Sequence, residues 1–369
     1  MRRRARRVLL FGVILLVWFA IFEAGLRRWG SSEAAPAFQG LFTGDPVIGY
    51  RLKPGGRTRF TTSEFDTEIA INNAGVRDDE DIGPKRPDET RIVVLGDSLV
   101  LSVQVPFAST FTELLEQRLN ARSPPEGSTT YRVINAGVQG YGPVEELLFF
   151  RQVIRNLRPD VVLVAVFVGN DAEEAVTSQP KLAPARPVTE VLRESIVARL
   201  RRLVRRSMVL QVLRLRFVAA TGRFRSSAGP PEPPLQSYAA NPAPRIPEGV
   251  ALARDAIARL AADATASGAR TGIILMPARF QVDDGDYGRL RDIVAQAGGQ
   301  LVRDSATERF SAALGDLQVP MIDLLPALRS APAGPDLFFQ QNVHLTPRGH
   351  VLVADTLARF LREQQLLVH

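Results

Sequence analysis

Four short motifs in this sequence carry residues whose types could perform acyl transfer. They are Gly96-Asp97-Ser98-Leu99, the glycine-rich stretch at 135–142, Gly169-Asn170-Asp171 and Asn342-Val343-His344. Ser98 can attack a carbonyl carbon, and His344 can take its proton. The backbone N–H groups of Ser98 and Gly140 and the side-chain amide of Asn170 can donate to the developing oxyanion. A serine after a strand is also a common helix N-cap, so Ser98 alone does not define a site.

The elements around these motifs alternate between strands and helices from residue 91 onward. Apolar runs predict strands at 92–95, 131–135, 161–168, 272–276 and 319–322. The segments between and after them predict helices at 109–121, 143–156, 249–266, 286–315 and 347–363. Five strands separated by helices predict an α/β fold, a three-layer α/β/α sandwich around a five-stranded parallel sheet. Because reactive groups in such sheets lie at the carboxyl ends of strands, the motifs are expected to meet at one edge.

In this order along the chain, the four motifs resemble those of the SGNH/GDSL hydrolase family. The resemblance covers about 88–178 and 249–365. It implies a flavodoxin-like sandwich in which Ser98 is the nucleophile and His344 the base. It also implies an oxyanion hole made by Ser98, Gly140 and Asn170.

The sequence departs from the family pattern beside the histidine. Family members usually carry an aspartate two or three residues before it, where this chain has Asn342 and Gln341. An amide oxygen can accept the Nδ1–H bond and hold the useful tautomer, but it cannot stabilise the imidazolium as a carboxylate would. Three outcomes are open: a Ser98–His344 dyad helped by Asn342, an orienting role for another acid such as Asp336, or a catalytically inactive protein.

The chain has three histidines, so only three imidazole rings are candidates for the base that deprotonates Ser98. His369 is the last residue. His350 falls in the first turn of the last predicted helix, where a packing or hydrogen-bonding role is expected. His344 is therefore the candidate base.

Two aspartates beside the motifs have structural interpretations. Asp97 is expected to bond neighbouring backbone N–H groups and so to fix the turn that holds Ser98. Asp171 is expected to cap the segment after the third strand. Neither stands at a metal-ligand spacing from other candidate ligands, so we predict no metal and no cofactor.

The formal net charge of +7 is unevenly distributed. Residues 1–28 hold seven arginines and one glutamate, and residues 186–225 hold eleven arginines and two glutamates. The rest of the chain is therefore acidic, which argues against a nucleic-acid-binding protein with a basic globular face. The absence of cysteine excludes disulfides and thiolate metal sites.

The N-terminal segment predicts a membrane anchor. Five arginines precede the apolar run at 8–22, and two more follow at 27 and 28. This asymmetry predicts a single pass through the cytoplasmic membrane, with the body of the protein on the outer side. A cleavable signal peptide is the competing interpretation, because the uncharged run is short for a span.

The predicted organisation has four parts. Residues 1–28 form the anchor, 29–90 an irregular β-rich lead-in, 91–180 and 248–369 the sandwich domain, and 181–247 an insert. The insert combines a basic amphipathic helical pattern with a proline-rich linker. It could lie on anionic headgroups, dock another membrane protein, or act as a lid or packing helix with a solvated arginine face.

The resemblance also bears on the substrate. The anchor and the sequence Asn73-Ala74-Gly75-Val76-Arg77 resemble an exported bacterial subgroup, several members of which are associated with O-acetylation or deacetylation of polysaccharides. We therefore expect a serine esterase that acts on small-molecule or polysaccharide acyl esters through a Ser98 acyl-enzyme. The alternatives are an O-acyltransferase, which could work with a membrane acyl-transfer protein, and an inactive carbohydrate-binding or assembly component.

Overall fold

The computed structural model describes residues 40–121, 129–182, 233–332 and 334–367, and the isolated Phe19. Except for Phe19, these residues fall in one compact unit that spans Ala35–Leu182 and Pro230–His369. The anchor predicted at 1–28 and all but the two ends of the predicted insert lie outside the description. No helix within the described ranges is long and apolar enough to cross a membrane. The domain boundaries stay predictions.

A five-stranded parallel sheet forms the centre of the unit, as predicted, with the strand order β6-β5-β7-β8-β9. Two antiparallel hairpins, β1–β2 and β3–β4, precede it. The strands are β1 (Phe42–Asp45), β2 (Gly49–Leu52), β3 (Arg57–Thr61), β4 (Asp66–Ala70), β5 (Glu89–Gly96), β6 (Thr130–Gly137), β7 (Val161–Phe167), β8 (Arg270–Met276) and β9 (Met321–Asp323).

The helices of the described residues follow the strands in alternation. They are α1 (Ser98–Leu101), α2 (Phe111–Asn120), α3 (Pro143–Gln152), α4 (Asp171–Ser178), α5 (Pro233–Gln236), α6 (Arg245–Ala266), α7 (Arg279–Val282), α8 (Asp284–Gln296), α9 (Ser305–Gly315), α10 (Leu325–Ser330) and α11 (Pro347–Glu363). Short 3₁₀ helices occupy Phe107–Ser109, Ile154–Leu157, Gln179–Leu182 and Gly334–Leu337.

Side-chain alternation along the strands produces the three layers. In β5, Val93 and Leu95 belong to one buried core, whereas Ile92 and Val94 belong to the other. Successive residues of a strand point to opposite faces, so a fully apolar strand requires cover on both sides. Helices α3, α4, α6 and α9 supply the first cover, and α2, α10 and α11 supply the second. The α/β/α sandwich is therefore confirmed.

The single helix predicted over 286–315 is wrong. The structure has α8 and α9 there, and α8 ends in a Schellman motif. Gly298 adopts a φ of 78°, its N–H bonds the carbonyl of Ala295, and the N–H of Gly299 bonds that of Val294. A glycine in this left-handed conformation ends a helix by satisfying its last carbonyls.

A buried arginine joins the lead-in to the helix that carries Ser98. Arg77 is 1% exposed, and its backbone N–H bonds the carbonyl of Asn135 in β6. Its guanidinium donates to the carbonyls of Leu101 (2.7 Å), Ser102 and Val105 (2.6 Å), which follow the first turn of α1. Burial lowers the pKa of Arg77 to about 10, so it remains a cation at neutral pH. The arginine thereby fixes the position of α1.

A glycine in α6 allows the close approach of the helix that follows Asn170. A Cβ on Gly249 would lie 1.8 Å from the carbonyl oxygen of Ala172 in α4. We expect Gly249→Ala to destabilise the protein by about 1–3 kcal/mol or more, because α4 and α6 must separate. Thermal unfolding followed by circular dichroism measures this.

The matched control is Gly288→Ala in α8, where an added Cβ meets nothing within 4 Å. That substitution should stabilise the helix by up to about 1 kcal/mol through helix propensity alone. Equal melting temperatures for the two variants would contradict the close-packing interpretation.

Candidate active site

Ser98 stands directly after β5, an interior strand of the sheet, at the first position of α1. Asp97 is the N-cap of that helix, and its Oδ1 accepts from the backbone N–H of Leu99 at 2.8 Å. The Ser98 side chain is half-buried, whereas Asp97 is almost fully enclosed. The turn therefore presents the serine hydroxyl at the carboxyl edge of the sheet.

The structure brings His344 to this hydroxyl. His344 Nε2 lies 2.8 Å from Ser98 Oγ, although the two residues are 246 positions apart. The loop before α11 carries the histidine, and it is closed on itself by a bridge between Phe338 and Leu345. The backbone N–H of Phe339 also bonds the carbonyl of His344 at 2.9 Å.

The other ring nitrogen of His344 meets Asn342. Asn342 Oδ1 lies 2.6 Å from His344 Nδ1 and accepts from the backbone N–H of His344 at 3.3 Å. An oxygen at that distance is an acceptor, so it holds the proton on Nδ1 and leaves Nε2 free to take a proton from Ser98. Asp336, the other candidate orienter, instead pairs with Arg348 at 3.4 Å on the surface.

Gly140 and Asn170 follow the strands on either side of β5. In the order β6-β5-β7, the loop after β6 carries Gly140 and the residue before α4 is Asn170. Gly140 has a φ of 71°, and an added Cβ would lie 3.0 Å from Tyr50 Oη. Both residues line one cleft of about 410 Å³. Glycine thus allows a backbone conformation there that other residues rarely adopt.

The Asn170 amide is oriented by a neighbouring acid. Its Nδ2 donates to Glu174 Oε1 at 2.9 Å. An amide nitrogen carries two protons, so one remains after this bond. Asn170 is also the N-cap of α4, and the expectation that Asp171 caps this segment is wrong. Asp171 Oδ2 instead accepts from the backbone N–H of Phe167 at 2.9 Å, because the side chain folds back under the strand end.

Four acidic side chains gather beneath the cleft. Burial raises the pKa of each member, and repulsion between the carboxylates adds to this effect for Glu146, Asp171 and Glu174. Together they raise the pKa of Glu174 to about 8, and they raise the pKa values of Glu146 and Asp171 well above the ordinary range. Burial alone raises the pKa of Asp97 to about 6. Both Glu146 oxygens lack hydrogen-bond partners among the described residues. Several of these acids therefore hold protons near neutral pH.

His350 has a structural role. It is buried, its ring stacks on Phe111, and its Nδ1 accepts from the backbone N–H of Phe111 at 3.1 Å. Burial lowers its pKa to about 3, which keeps it neutral. His369 lies outside the described residues.

Two residues that contact the site, Tyr50 and Glu64, lie outside the four sequence motifs. Tyr50 of β2 donates from its hydroxyl to the carbonyl of Gln139 at 2.7 Å, beside Gly140. Glu64, between β3 and β4, accepts from three backbone N–H groups of the loop that carries His344. Both contacts join residues far apart in the chain, so neither local spacing nor periodicity could reveal them.

Within the described part of the chain, no group of three or more His, Cys, Asp or Glu side chains could hold a metal ion.

The described residues thus form a parallel-sheet sandwich with a serine and a histidine in contact at the carboxyl edge of the sheet. Residues 236–369 match the family model described as ALGX, the SGNH hydrolase-like domain of the acetyltransferase AlgX. The predicted resemblance to SGNH hydrolases is therefore confirmed. The matched segment contains Asn342 and His344, whereas Ser98, Gly140 and Asn170 precede it.

Solved structures with similar folds include TesA, at 14% identity and a TM-score of 0.42 over 75% of this chain and 100% of that one. The lipase/acylhydrolase from Enterococcus faecalis has 14% identity and a TM-score of 0.39 over 74% and 96% of the two chains. A mutant of Axe2, an acetyl-xylooligosaccharide esterase from Geobacillus stearothermophilus, has 12% identity and a TM-score of 0.40 over 76% and 95% of the two chains. No curated protein matches the sequence.

The histidine pKa values lead to a direct measurement. Burial lowers the pKa of His344 to about 4, so its ring should stay neutral until the pH falls through about 4. In the unfolded chain histidine binds protons from about pH 6.5 downward. Stability should therefore decrease as the pH drops through this window.

Carbon–proton NMR of ¹³C-labelled histidine in the full-length protein checks this, since the chain has three such residues. A His344→Gln variant assigns the signal. Titration of that signal near pH 6.5 would contradict the effect of burial on His344.

Glu174 gives a separate pH prediction. Its pKa, raised to about 8, means that the folded state keeps a proton that the unfolded state loses from about pH 4.5 upward. The stability contributed by this group therefore declines between about pH 4.5 and pH 8. Glu174→Gln cannot ionise and keeps an acceptor for Asn170, so its melting temperature should exceed that of the natural protein at pH 8 and match it near pH 4. For the exposed control Glu363→Gln, the difference in melting temperature from the natural protein should be the same at pH 8 as near pH 4. A melting temperature of Glu174→Gln below that of the natural protein at pH 8 would contradict the prediction.

Proposed function

We propose that this protein is a serine esterase of the SGNH type that acts on O-acyl esters, in particular O-acetyl esters of carbohydrates. The observation that carries the proposal is the 2.8 Å contact between Ser98 Oγ and His344 Nε2, with Nδ1 of the same ring held by Asn342. This is the geometry of a nucleophile beside a base that is itself oriented by a third group.

The reaction would proceed through two acyl transfers. His344 Nε2 removes the proton from Ser98 Oγ as the oxygen attacks the ester carbonyl carbon. The backbone N–H groups of Ser98 and Gly140 and the free amide proton of Asn170 stabilise the oxyanion. His344 then protonates the departing alcohol oxygen, and an acyl-enzyme remains on Ser98. Water, deprotonated by His344, attacks this ester, and the serine hydroxyl is regenerated as the acid leaves.

Asn342 limits the rate of this chemistry. Its amide oxygen holds the correct tautomer of His344 but carries no charge to stabilise the imidazolium. In a serine protease triad, exchanging the aspartate for asparagine lowers kcat by about 10⁴-fold, although there the wrong tautomer contributes. We therefore expect turnover below that of an enzyme with a full Ser-His-Asp triad.

The side chains that line the cleft beside Gly140 and Asn170 are suited to bind a substrate with hydroxyl groups. Tyr50, Glu173, Glu174 and Thr177 line the cleft together with Asn170. Carboxyl and hydroxyl groups can exchange hydrogen bonds with the hydroxyls of a sugar, and an aromatic ring can pack on its apolar face. The similarity of residues 236–369 to a domain described as an acetyltransferase supports a second candidate, transfer of the acyl group to another hydroxyl. Hydrolysis and transfer share the acyl-enzyme and differ only in whether water or an alcohol attacks it.

We further propose that the catalytic unit works on the outer side of the cytoplasmic membrane, tethered by residues 1–28. The arginine-flanked apolar run at 8–22 supports this placement. The basic insert could add contacts with anionic lipid headgroups or with a membrane protein that supplies acyl groups.

Removal of the serine hydroxyl tests the function. The full-length protein should release p-nitrophenol from p-nitrophenyl acetate, and Ser98→Ala should reduce kcat/KM by about 10³-fold or more, because no nucleophile remains. The control Ser330→Ala removes an exposed hydroxyl at the end of α10 and should leave the rate unchanged.

A fluorophosphonate should label the natural protein at Ser98 and leave Ser98→Ala unlabelled. Addition of a soluble oligosaccharide would show transfer if acetylated sugar appears at the expense of free acetate. Equal rates for the natural protein and Ser98→Ala, with no labelling, would instead favour the inactive carbohydrate-binding component.

A further inference from the structure

The tip of the β3–β4 hairpin lies against the loop that carries the base. Glu64 lies in this tip and is half-buried. Its Oε1 accepts from the backbone N–H groups of Gln340 at 2.7 Å and Gln341 at 2.9 Å, and its Oε2 accepts from that of Asn342 at 2.8 Å. One carboxylate thus binds three successive backbone donors on a segment 276–278 residues away in the chain.

Hydrogen bonds within the hairpin tip fix the position of Glu64. Thr62 Oγ1 accepts from the backbone N–H groups of Glu64 at 3.1 Å and Phe65 at 3.2 Å, and the N–H of Thr62 bonds the carbonyl of Phe65 at 2.8 Å. The ring of Phe65 packs on that of Phe339 with centroids 5.5 Å apart. The position of the carboxylate is therefore set by a tight turn and an aromatic contact.

A cationic side chain, Arg279, binds carbonyl groups of the same loop. Arg279 donates to the carbonyl oxygens of Phe339, at 2.7 Å, and Gln340. Arg279 also forms an ion pair with Asp286, so its charge is already compensated. Among the described residues, no cation forms an ion pair with Glu64, and its carboxylate is directed at the loop backbone.

We infer that Glu64 is a positioning residue for His344, and that it supplies from the lead-in the negative charge that the Asn342 amide lacks. The Glu64 carboxylate accepts from the backbone N–H of Asn342, and the side-chain Oδ1 of the same residue accepts from His344 Nδ1–H, while His344 Nε2 accepts from Ser98 Oγ–H. Glu64 therefore holds the residue that orients the ring, and its negative charge favours the imidazolium that forms as the reaction proceeds. The catalytic part of this inference rests on the proposed esterase function.

A carboxylate on three N–H groups could also serve only to close a loop. The two roles differ in one property, since loop closure needs oxygen acceptors and stabilisation of an imidazolium needs charge. Glu64→Gln keeps the size and one carbonyl oxygen of the side chain but removes the charge. Asn342→Asp restores a charge directly on His344 Nδ1, independently of the hairpin.

The first measurement is kinetic and uses the full-length protein with p-nitrophenyl acetate. Glu64→Gln should lower kcat about 10-fold with KM nearly unchanged, because the imidazolium forms only as the reaction proceeds. Asn342→Asp in the Glu64→Gln background should restore kcat to at least the natural value. The control Glu68→Gln removes the same charge from an exposed position in β4 and should change neither parameter.

The second measurement needs no catalytic activity. In the Asn342→Asp background the pKa of His344 should rise towards neutrality, where ¹³C-histidine NMR follows it easily. Adding Glu64→Gln to that background should lower this pKa by about half a unit or more, whereas adding Glu68→Gln should not. If Glu64→Gln folds poorly, Glu64→Asp and Glu64→Asn form a second pair of equal size, and a higher kcat for the aspartate supports the inference.

Three outcomes would overturn the inference: unchanged kcat in Glu64→Gln, no rescue by Asn342→Asp, or an equal His344 pKa with and without the Glu64 charge. Each leaves Glu64 as a loop-closing residue only. Failure of the proposed function gives a different result, since Ser98→Ala would then be as active as the natural protein while the NMR comparison still reports on Glu64.

Discussion

The hydrogen bond between Ser98 and His344 is the contact on which the remaining features of the site depend. It joins the end of β5 to the loop before α11, two segments that are 246 positions apart in the chain and meet only in the folded protein. The strand order places β5 in the interior of the sheet, with the loops of β6 and β7 on either side of the serine. Gly140 and Asn170 thereby follow the two strands that flank β5, although both are distant from Ser98 in the sequence.

Neutral groups dominate the surroundings of His344. The group next to His344 Nδ1 is a neutral amide, and burial disfavours the charged forms of both His344 and the acids beneath the cleft. Such a histidine is a weak base but remains unprotonated in mildly acidic surroundings. Glu64, in a hairpin outside the sheet, places a carboxylate on the backbone N–H of Asn342, the residue whose side chain holds the ring.

Local patterns in the sequence predicted much of this arrangement. Apolar runs indicated all five strands of the sheet, and the polar residues at their ends indicated Ser98, Gly140 and Asn170. The prediction that one helix covers 286–315 was wrong because periodicity continues across Gly298 and Gly299, whose effect lies in backbone conformation. Glu64 and Arg77 could not be found in this way. Their partners are distant carbonyl and N–H groups, which every residue possesses and which leave no mark on the sequence.

The lead-in contributes two residues of opposite charge, and each binds backbone groups of a segment that carries a site residue. The Arg77 guanidinium donates to carbonyl groups at the end of the helix that carries Ser98, and the Glu64 carboxylate accepts from backbone N–H groups of the loop that carries His344. A protein shortened to begin at residue 89 would keep every strand of the sheet together with Ser98 and His344. It would nevertheless lose the Arg77 donor to the carbonyls at the end of α1 and the Glu64 acceptor for the loop that carries His344. The smallest unit that keeps both supports of the site is therefore larger than the sandwich that gives the fold its class.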